Sequence, residues 1–180
     1  GLSQERLTDV SLEVQCGITA LLGTSGAGKS SLLNLMSNME IVDKGVLSKG
    51  AQINDAPFPL YIVPQDYGLW PQINVEDHLL KSMPKADSKK ADYILDKLNL
   101  KHKKNEYPEF LSQGECSRLS IARALATEAS VLLMDEPLAN VDAAGKAAYW
   151  EFIIAEVKSK NISLIFSTHV ADEAVSYTHL

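Results

Sequence analysis

Short apolar runs alternate with stretches of helical periodicity along most of this chain. The apolar runs occupy residues 18–22, 60–63, 131–134 and 162–166. The helical stretches lie around residues 30–38, 75–100, 112–126 and 143–159. The continuous run at 131–134 is typical of a strand buried on both faces of a parallel sheet. Strands that alternate with helices predict an α/β domain with a mostly parallel sheet.

Local sequence also predicts where individual helices begin. Asp87 or Ser88 is expected to cap a helix with a clear apolar face. That face comprises Ala91, Ile94, Leu95 and Leu98. Ser112 and Glu115 have the three-residue spacing of a capping box, which predicts a helix that begins at Ser112.

The sequence pattern in the first part of the chain predicts β strands. Leu7, Val10, Leu12 and Val14 partly alternate with polar residues, so residues 1–22 are expected to be strand material. Residues 45–59 are rich in turn formers, which predicts short strands or loops there.

A glycine-rich loop joins the first clear strand to the helix that follows it. Its residues fit the pattern G-x-x-x-x-G-K-[ST]: Gly23, Thr24, Ser25, Gly26, Ala27, Gly28, Lys29 and Ser30. In this pattern backbone N–H groups turn inward around a phosphate, Lys29 reaches the β- and γ-phosphates, and the Ser30 hydroxyl can bind Mg²⁺. The dipole at the start of the helix favours the same anion. The alternative interpretation is a glycine-rich turn that binds nothing.

Polar residues follow the carboxyl ends of the other apolar runs. Gln65 follows the second run, Asp135 and Glu136 follow the third, and His169 follows the fourth. Because ligands bind at this edge of parallel sheets, these residues are expected to converge with the glycine loop on one nucleotide. The alternative for Asp135 and Glu136 is an acidic turn at a strand end. Taken singly, Gln65 is an ordinary solvated loop residue and His169 a structural histidine.

Composition narrows the function classes. The chain has 180 residues, enough for one domain with a subdomain, and a formal net charge of −6 at pH 7, which argues against a broad nucleic-acid-binding surface. Cys16 and Cys116 have no metal-ligand spacing, and a reducing compartment is the default expectation. No apolar run approaches the roughly 20 residues of a membrane span and no signal peptide opens the chain, so a membrane role is expected to act through a partner.

Together the motifs resemble those of the ATP-binding subunit of an ABC transporter, and the likeness covers nearly the whole chain. The glycine loop resembles Walker A, and residues 131–135 resemble Walker B. Residues 111–115, Leu-Ser-Gln-Gly-Glu, are similar to the signature sequence Leu-Ser-Gly-Gly-Gln, which is highly specific to this family. Gln65 resembles the Q-loop glutamine, residues 137–142 the D-loop, and His169 the switch histidine.

The resemblance implies a P-loop NTPase fold with a mostly parallel central sheet, N-terminal antiparallel β strands and an inserted helical subdomain. It implies one ABC ATPase domain over residues 1–180. In this division residues 1–74 and 115–180 form the nucleotide-binding core, and about 75–114 form the helical subdomain that carries the signature.

The resemblance also implies an ATPase with ATP and Mg²⁺ as cofactors. In the roles it implies, Glu136 polarises the attacking water, His169 hydrogen-bonds the γ-phosphate or orients Glu136, and Gln65 reports the γ-phosphate to the helical subdomain. The expected Mg²⁺ ligands are Ser30, Gln65 and Asp135. The expected nucleotide contacts are the glycine loop, Ser31, Ser112, Gly114 and Asp142.

Partners are implied in the same way. In the family the signature serine and second glycine face ATP held by another subunit, so a head-to-tail homodimer, or a pair with a related ATPase subunit, is expected on ATP binding. Transmembrane permease subunits are the other expected partners, which places the chain at the cytoplasmic face of a membrane. Residues 65–75 resemble the segment after the Q-loop in importer ATPases for sugars, polyamines, ferric iron or similar solutes. In this segment, Trp70, Pro71 and Ile73 are expected either to contact the permease or to belong to the core of the helical subdomain. No nucleic-acid partner is expected.

The chain departs from the family pattern at several positions. Gln113 replaces the usual glycine, Glu115 replaces the usual glutamine, and no aromatic residue that could stack on adenine precedes the glycine loop. The chain also stops eleven residues after His169. A truncated chain would account both for this early end and for the missing aromatic residue before the glycine loop. Two alternatives to a transporter subunit therefore stand: a soluble ABC ATPase that acts on nucleic acid or ribosomes, and a truncated chain that binds ATP without hydrolysing it. The transported solute is not encoded in these residues.

Overall fold

Strands and helices alternate along the described part of the chain. The computed structural model describes residues 7, 10–14, 16–41, 46–48 and 58–178. Its strands are β1 Ile18–Leu22, β2 Leu60–Val63, β3 Val131–Asp135 and β4 Ser163–Thr168. Its α-helices are α1 Lys29–Met36, α2 Val75–Leu80, α3 Ser88–Lys97, α4 Gln113–Ala126, α5 Ala143–Ser159 and α6 Ala171–Thr178. Single turns of 3₁₀ helix lie at Lys101–Lys103 and Pro108–Phe110.

The four strands form one parallel sheet in the order β1-β4-β3-β2. β4 lies between β1 and β3, and its Phe166 is opposite Ala20 on one side and Met134 on the other. β2 completes the sheet beside β3, where Val63 is opposite Met134. Every residue of β3 is buried, as its continuous apolar sequence predicts. The predicted α/β class with a parallel sheet is confirmed.

Helices cover both faces of this sheet. On one face Leu33 of α1 packs against Val131 and Leu133 of β3. On the other face lies a larger core, in which the rings of Trp150 in α5 and Phe166 in β4 have centroids 4.6 Å apart. Because side chains alternate along a strand, the central strands serve both cores at once.

The predicted helix starts agree with the structure. Asp87, rather than Ser88, caps α3, because its carboxylate accepts hydrogen bonds from the backbone N–H groups two and three residues further on. The predicted apolar face of α3 is fully buried, and α2 and α3 pack against α4. At α4 both halves of the capping box between Ser112 and Glu115 are formed. The cap of α2, Asn74, was not predicted.

Two element ends differ from the sequence prediction. β4 continues two residues beyond residue 166, because Ser167 and Thr168 pair with the end of β1. α1 ends at Met36 rather than near residue 38, because Asn38 has a left-handed φ of +61° and turns the chain out of the helix.

The predicted N-terminal strands fall largely outside the described residues. Residues 7 and 10–14 are described and hold no strand, so within residues 1–22 the described strand is β1 alone. Residues 46–48 likewise hold no strand. The remaining parts of the predicted antiparallel strands and of the 45–59 segment lie outside the described residues and stay a prediction.

Candidate functional site

Three polar side chains meet at the carboxyl edge of the sheet. Lys29 begins α1, Glu136 follows β3, and His169 follows β4. Lys29 Nζ lies 3.8 Å from Glu136 Oε1, and His169 Nδ1 lies 3.4 Å from Glu136 Oε2. The Glu136 side chain is only 20% exposed, whereas that of His169 is 56% exposed. The structure therefore brings these three predicted site residues together, with Glu136 between the other two.

The glycine loop between β1 and α1 has a backbone suited to an anion. Gly26 and Gly28 have φ values of +82° and +87°, which residues with a side chain rarely adopt. Gly28 precedes α1 and offers it no side-chain cap, so the N–H groups of the first turn are left for a ligand. Lys29 Nζ donates to the carbonyl oxygens of Gly23 at 2.8 Å and Thr24 at 3.0 Å. The ammonium group therefore lies over the loop that precedes it.

A buried serine that the sequence analysis did not single out links the two acidic residues after β3. Ser167 lies opposite Asp135 in the sheet and is fully buried. Its hydroxyl donates to Asp135 Oδ1 and accepts from the backbone N–H of Glu136 at 2.9 Å. Glu136 has a φ of +47°, a left-handed conformation that costs on the order of 1–3 kcal/mol outside glycine. Ser167 thus fixes both the Asp135 carboxylate and the strained backbone of Glu136.

His169 is placed by the turn that starts α6. Thr168 Oγ1 accepts from the N–H of Val170 at 3.0 Å and donates to Glu173 Oε2 at 2.7 Å. Glu173 Oε1 in turn lies 3.0 Å from Lys146 Nζ of α5. These contacts fix the residues on both sides of His169 although its own ring is largely exposed. The sequence carried no signal for them, because threonine, glutamate and lysine are common residues and no local pattern indicates that these three are paired.

Asp135 and Ser30 carry oxygen atoms that are suitable cation ligands at this edge of the sheet. Asp135 is 7% exposed, and Ser30 is exposed in the first turn of α1. Among the described residues only Oδ1 of the Asp135 carboxylate has a hydrogen-bond partner, so the second oxygen is open to a ligand. Mg²⁺ prefers oxygen ligands and keeps several waters beside one or two carboxylates, which this pair fits. The described residues contain no group of three or more His, Cys, Asp or Glu side chains that could hold a metal by themselves.

Gln65 lies at the same edge without joining the cluster. It follows β2, at the opposite side of the sheet from β1, and its side chain is exposed. Within residues 58–178 and the other described ranges it makes no hydrogen bond. No hydrogen bond therefore joins Gln65 to Ser30 or Asp135 among the described residues. Ser31, a further predicted nucleotide contact, is buried in α1.

The signature residues and Asp142 are engaged by parts of the chain other than the glycine loop. In the described part of the chain no hydrogen bond or ion pair joins Ser112, Gly114 or Asp142 to residues 23–30. Asp142 caps α5, as its Oδ1 accepts from the N–H three residues on at 2.9 Å. Gly114 lies against the turn after β3, where a Cβ would come 2.9 Å from the carbonyl oxygen of Asn140. Each of these residues therefore has a structural role within its own chain.

Glu115, where the family has glutamine, is engaged by the cap of α4. Its Oε2 accepts from the Ser112 N–H at 2.8 Å, and Ser112 Oγ accepts from the Glu115 N–H at 3.3 Å. The bond from the Ser112 backbone holds the pKa of Glu115 below its ordinary value of 4.5, so the carboxylate is charged at neutral pH. Because Ser112 Oγ acts as acceptor here, its own proton remains available to a ligand.

The segment after Gln65 is partly surface and partly packed. Trp70 is 44% exposed, and its ring lies between His78, with centroids 5.7 Å apart, and the Arg123 guanidinium at 4.9 Å. His78 Nε2 accepts from the Trp70 N–H at 3.0 Å and Nδ1 donates to the Asn74 carbonyl at 2.8 Å, an arrangement of the neutral ring. Burial lowers the pKa of His78, which agrees with that arrangement. The other two residues singled out here are the exposed Pro71 and the half-buried Ile73.

Comparison with known proteins identifies the family to which this site belongs. The family model described as ABC transporter matches residues 7–139. This chain belongs to the ABC transporter family. The matched residues include the glycine loop, the signature segment and Glu136, so the resemblance of these motifs to the family is confirmed.

Several curated proteins are similar to this ABC family member over most of its length. The molybdenum import ATP-binding protein ModC of Haemophilus ducreyi is 36% identical over 169 residues, which cover 88% of this chain and 48% of that protein. The aliphatic sulfonates import ATP-binding protein SsuB of Zymomonas mobilis is 36% identical over 176 residues, covering 95% and 72%. The spermidine/putrescine import ATP-binding protein PotA of Nitrosospira multiformis is 34% identical over 182 residues, covering 95% and 50%. The chain spans about half the length of the molybdenum and polyamine relatives it matches.

Solved ABC transporter structures share the fold. An inward-facing structure of a metal-chelate type ABC transporter gives a TM-score of 0.75 at 26% identity, covering 99% of this chain and 73% of that chain. An ATP-binding subunit of an ABC transporter gives a TM-score of 0.82 at 23% identity, covering 98% and 78%, which shows the shared fold alone. Of the helices that the structure describes in this ABC family member, none combines the length and the apolar character needed to cross a bilayer.

Proposed function

We propose that this chain is the ATP-binding and ATP-hydrolysing subunit of an importer, which powers solute transport as a head-to-tail dimer with transmembrane permease subunits. It would act peripherally at the cytoplasmic face of the membrane. Relatives named as import ATP-binding proteins support the transport role and do not favour a soluble ATPase that acts on nucleic acid. The observation that carries the ATPase activity is the cluster of Lys29, Glu136 and His169 beside the uncapped start of α1.

Phosphate binding is the first step that the glycine loop supports. The N–H groups of residues 23–31 would surround the β- and γ-phosphates, at the positive end of the α1 dipole. Lys29 now donates to two loop carbonyls and lies 3.8 Å from Glu136. We expect its ammonium to exchange the two carbonyls for phosphate oxygens, since an anionic phosphate oxygen is a stronger acceptor than a neutral carbonyl oxygen.

The attacking water would lie beside Glu136. Its carboxylate is mostly buried, with one oxygen 3.8 Å from Lys29 Nζ and the other 3.4 Å from His169 Nδ1. A well-placed general base of this kind contributes about 10²–10⁴-fold to a rate. His169, whose ring is exposed and lies beside Glu136, would hydrogen-bond the γ-phosphate or orient Glu136. Gln65 would approach the γ-phosphate when its loop moves inward on ATP binding.

Ser30 and Asp135 would hold Mg²⁺, with Gln65 as an additional ligand in the closed state. The bound ion would neutralise charge that develops on the β- and γ-oxygens. Ser167 contributes by holding one Asp135 oxygen through a hydrogen bond, which leaves the second oxygen to face the ion.

A second subunit would complete each ATP site. Ser112 and Gly114 make no hydrogen bond to the glycine loop of their own chain among the described residues, which supports an ATP contact made with a facing chain. The capping box leaves the Ser112 proton available for such a contact, and Asp142 starts α5 close to the same surface. Residues 75–114 would form the helical subdomain that transmits closure to the permease. Residues 1–74 and 115–180 would form the core that binds the nucleotide.

The test of this proposal is phosphate release from ATP by the purified chain. Release is measured with and without Mg²⁺ over a series of protein concentrations. We expect magnesium-dependent release whose specific activity rises with concentration, because each site needs two chains. ATP binding without release at any concentration would contradict the ATPase and favour a chain that binds ATP without hydrolysing it.

A further inference from the structure

Tyr67 lies two residues after Gln65 and has an unusual backbone. Its φ is +67°, a left-handed value that is a genuine outlier for a bulky side chain. The N–H of Tyr67 donates to the Pro64 carbonyl at 3.0 Å, which closes a tight turn around Gln65. Such a conformation persists only where the surroundings enforce it, so the contacts of Tyr67 indicate what the turn is held for.

The backbone of this turn is held by buried polar groups of α4. Ser120 Oγ donates to the Tyr67 carbonyl at 2.7 Å, and Arg123 Nη1 donates to the Gly68 carbonyl at 2.7 Å. Ser120 is fully buried and Arg123 is 3% exposed. Burying a guanidinium is unfavourable unless its hydrogen bonds are made, and here the acceptors are the carbonyls of this turn. The helix therefore fixes the turn on one side.

The ring of Tyr67 reaches the opposite side of the site. Asn140 Nδ2 donates to Tyr67 Oη at 2.7 Å, across 73 residues of sequence. Asn140 lies in the turn of residues 137–142, which begins directly after Glu136. The same turn is joined to α4, since Ser117 Oγ donates to the Pro137 carbonyl and Gly114 approaches the Asn140 carbonyl closely. One phenol hydroxyl thus connects the loop of Gln65 to the loop of Glu136.

We propose that Tyr67 is a positioning residue whose hydroxyl sets the distance between the loops that carry Gln65 and Glu136. The proposal rests on the function proposed above. Its basis is that the exposed Gln65 has no hydrogen bond of its own among the described residues, so its place depends on the turn that holds it. Without the bond to Asn140, both loops lose their only direct hydrogen bond to each other within the described part of the chain.

The test uses Tyr67→Phe, which removes only the hydroxyl, with Tyr93→Phe as matched control. Tyr93 is 48% exposed, and its hydroxyl lies 3.5 Å from Glu156 on the helical face. The first measurement is amide hydrogen exchange at Ala139 and Val141, whose N–H groups close the turn at 3.1 and 3.2 Å. We expect exchange there to rise about fivefold in Tyr67→Phe and to stay unchanged in the control. Unchanged exchange in both variants would overturn the proposal without any reference to hydrolysis.

The second measurement is magnesium-dependent phosphate release as a function of ATP concentration. Tyr67→Phe should lower kcat about five- to tenfold while KM changes by less than about twofold, since ATP contacts remain and only the placement of catalytic groups is lost. Asn140→Ala should lower kcat by about the same factor as Tyr67→Phe. The variant that carries both substitutions should have a kcat no lower than that of either single variant, because all three variants remove the same hydrogen bond. Raised amide exchange together with an unchanged kcat would overturn the positioning role. A loss of kcat in the double variant equal to the two single losses combined would overturn it as well. Raised exchange in a chain whose parent releases no phosphate would uphold the contact and reject the ATPase function instead.

Discussion

The carboxyl edge of the sheet and the helical layer of α2, α3 and α4 are built in opposite ways. In the helical layer each helix start is capped by a side chain of its own segment, and the apolar face of α3 is fully buried. At the sheet edge α1 starts without a side-chain cap, Glu136 has a left-handed backbone, and Lys29 donates to the carbonyls of its own loop. The helical layer caps its own helix starts, whereas α1 at the sheet edge begins with N–H groups that no side chain caps.

This difference shows how stability and function are divided in the molecule. Caps and buried apolar side chains stabilise the folded state, typically by about 1 kcal/mol for a cap and several times that for a buried leucine. Strained backbone and weakly paired charges lower stability and are retained where a site uses them. Substitutions in the two regions should therefore separate the free energy of unfolding from the rate of phosphate release.

The largest effect is expected at the sheet edge, on catalysis. Glu136→Gln preserves the shape of the side chain and removes its negative charge, so phosphate release should fall by about 10²–10⁴-fold while ATP binding persists. Glu128→Gln is the matched control, because Glu128 also has a positive φ, of +57°, but pairs with Lys90 away from the site. Equal rates of phosphate release in the two variants would show that Glu136 does not polarise the water.

The next effect is expected in the helical layer, on stability. Leu95→Ala empties a fully buried position of α3, and the free energy of unfolding in urea should fall by about 2–5 kcal/mol. Asp96→Ala, at the exposed neighbouring position, should change it by less than about 0.5 kcal/mol. The ATP affinity of the folded Leu95→Ala protein should equal that of the parent. A loss of affinity in the folded protein would break the separation between the two regions.

Gly114 lies where the two regions touch, so its substitution should affect both measurements. In Gly114→Ala the new Cβ would be 2.9 Å from the Asn140 carbonyl oxygen, and the backbone must shift. We expect a loss of about 1–3 kcal/mol in unfolding free energy, together with slower phosphate release. Gly145→Ala is the control near the start of α5, because its Cβ meets side chains rather than backbone: the edge of the Tyr149 ring at 3.0 Å and the Asp142 carboxylate at 3.5 Å. Similar losses in both variants would mean that contact with Asn140 is not the cause.

The smallest effect is a pH dependence of stability at His78. Burial lowers the pKa of His78, with the Arg123 guanidinium acting in the same direction and Asp77 against it. The unfolded state therefore binds the proton more readily, so the stabilisation is complete above the ordinary pKa of 6.5 and is lost as pH falls through the folded-state pKa. In urea unfolding between pH 7 and pH 5, His78→Gln should reduce this decline, and the exposed His102→Gln should not. If the free energy of unfolding declines with pH as steeply in His78→Gln as in the parent, His78 is not the source of this pH dependence.

Features that depend on near neighbours in sequence were predictable. The caps at Asp87 and Ser112 each need only residues two or three positions away, and the burial of β3 follows from its own composition. The types of residue at the candidate site were predictable for the same reason, because each follows its strand directly. The sequence also indicated that these strand ends share one edge, since parallel strands all end on the same side.

Features that depend on strand register or on distant segments were not predictable. Ser167 acts because it lies opposite Asp135 in the sheet, and Tyr67 because its ring reaches Asn140. The positive φ of Glu136 occurs where Ser167 accepts from its N–H, and no local preference of glutamate predicts it. The predicted role of Gln65 stays a prediction, because its side chain is exposed and makes no hydrogen bond among the described residues.

The two tryptophans of the chain lie in opposite surroundings, which gives the protein a spectroscopic property of its own. Trp150 is fully buried beside Phe166, whereas Trp70 is 44% exposed in the segment that follows Gln65. The indole emission therefore combines a component shielded by the core with a component that solvent can reach. A small soluble quencher would act on Trp70 alone, so movement of this one loop can be followed by fluorescence without attaching a dye.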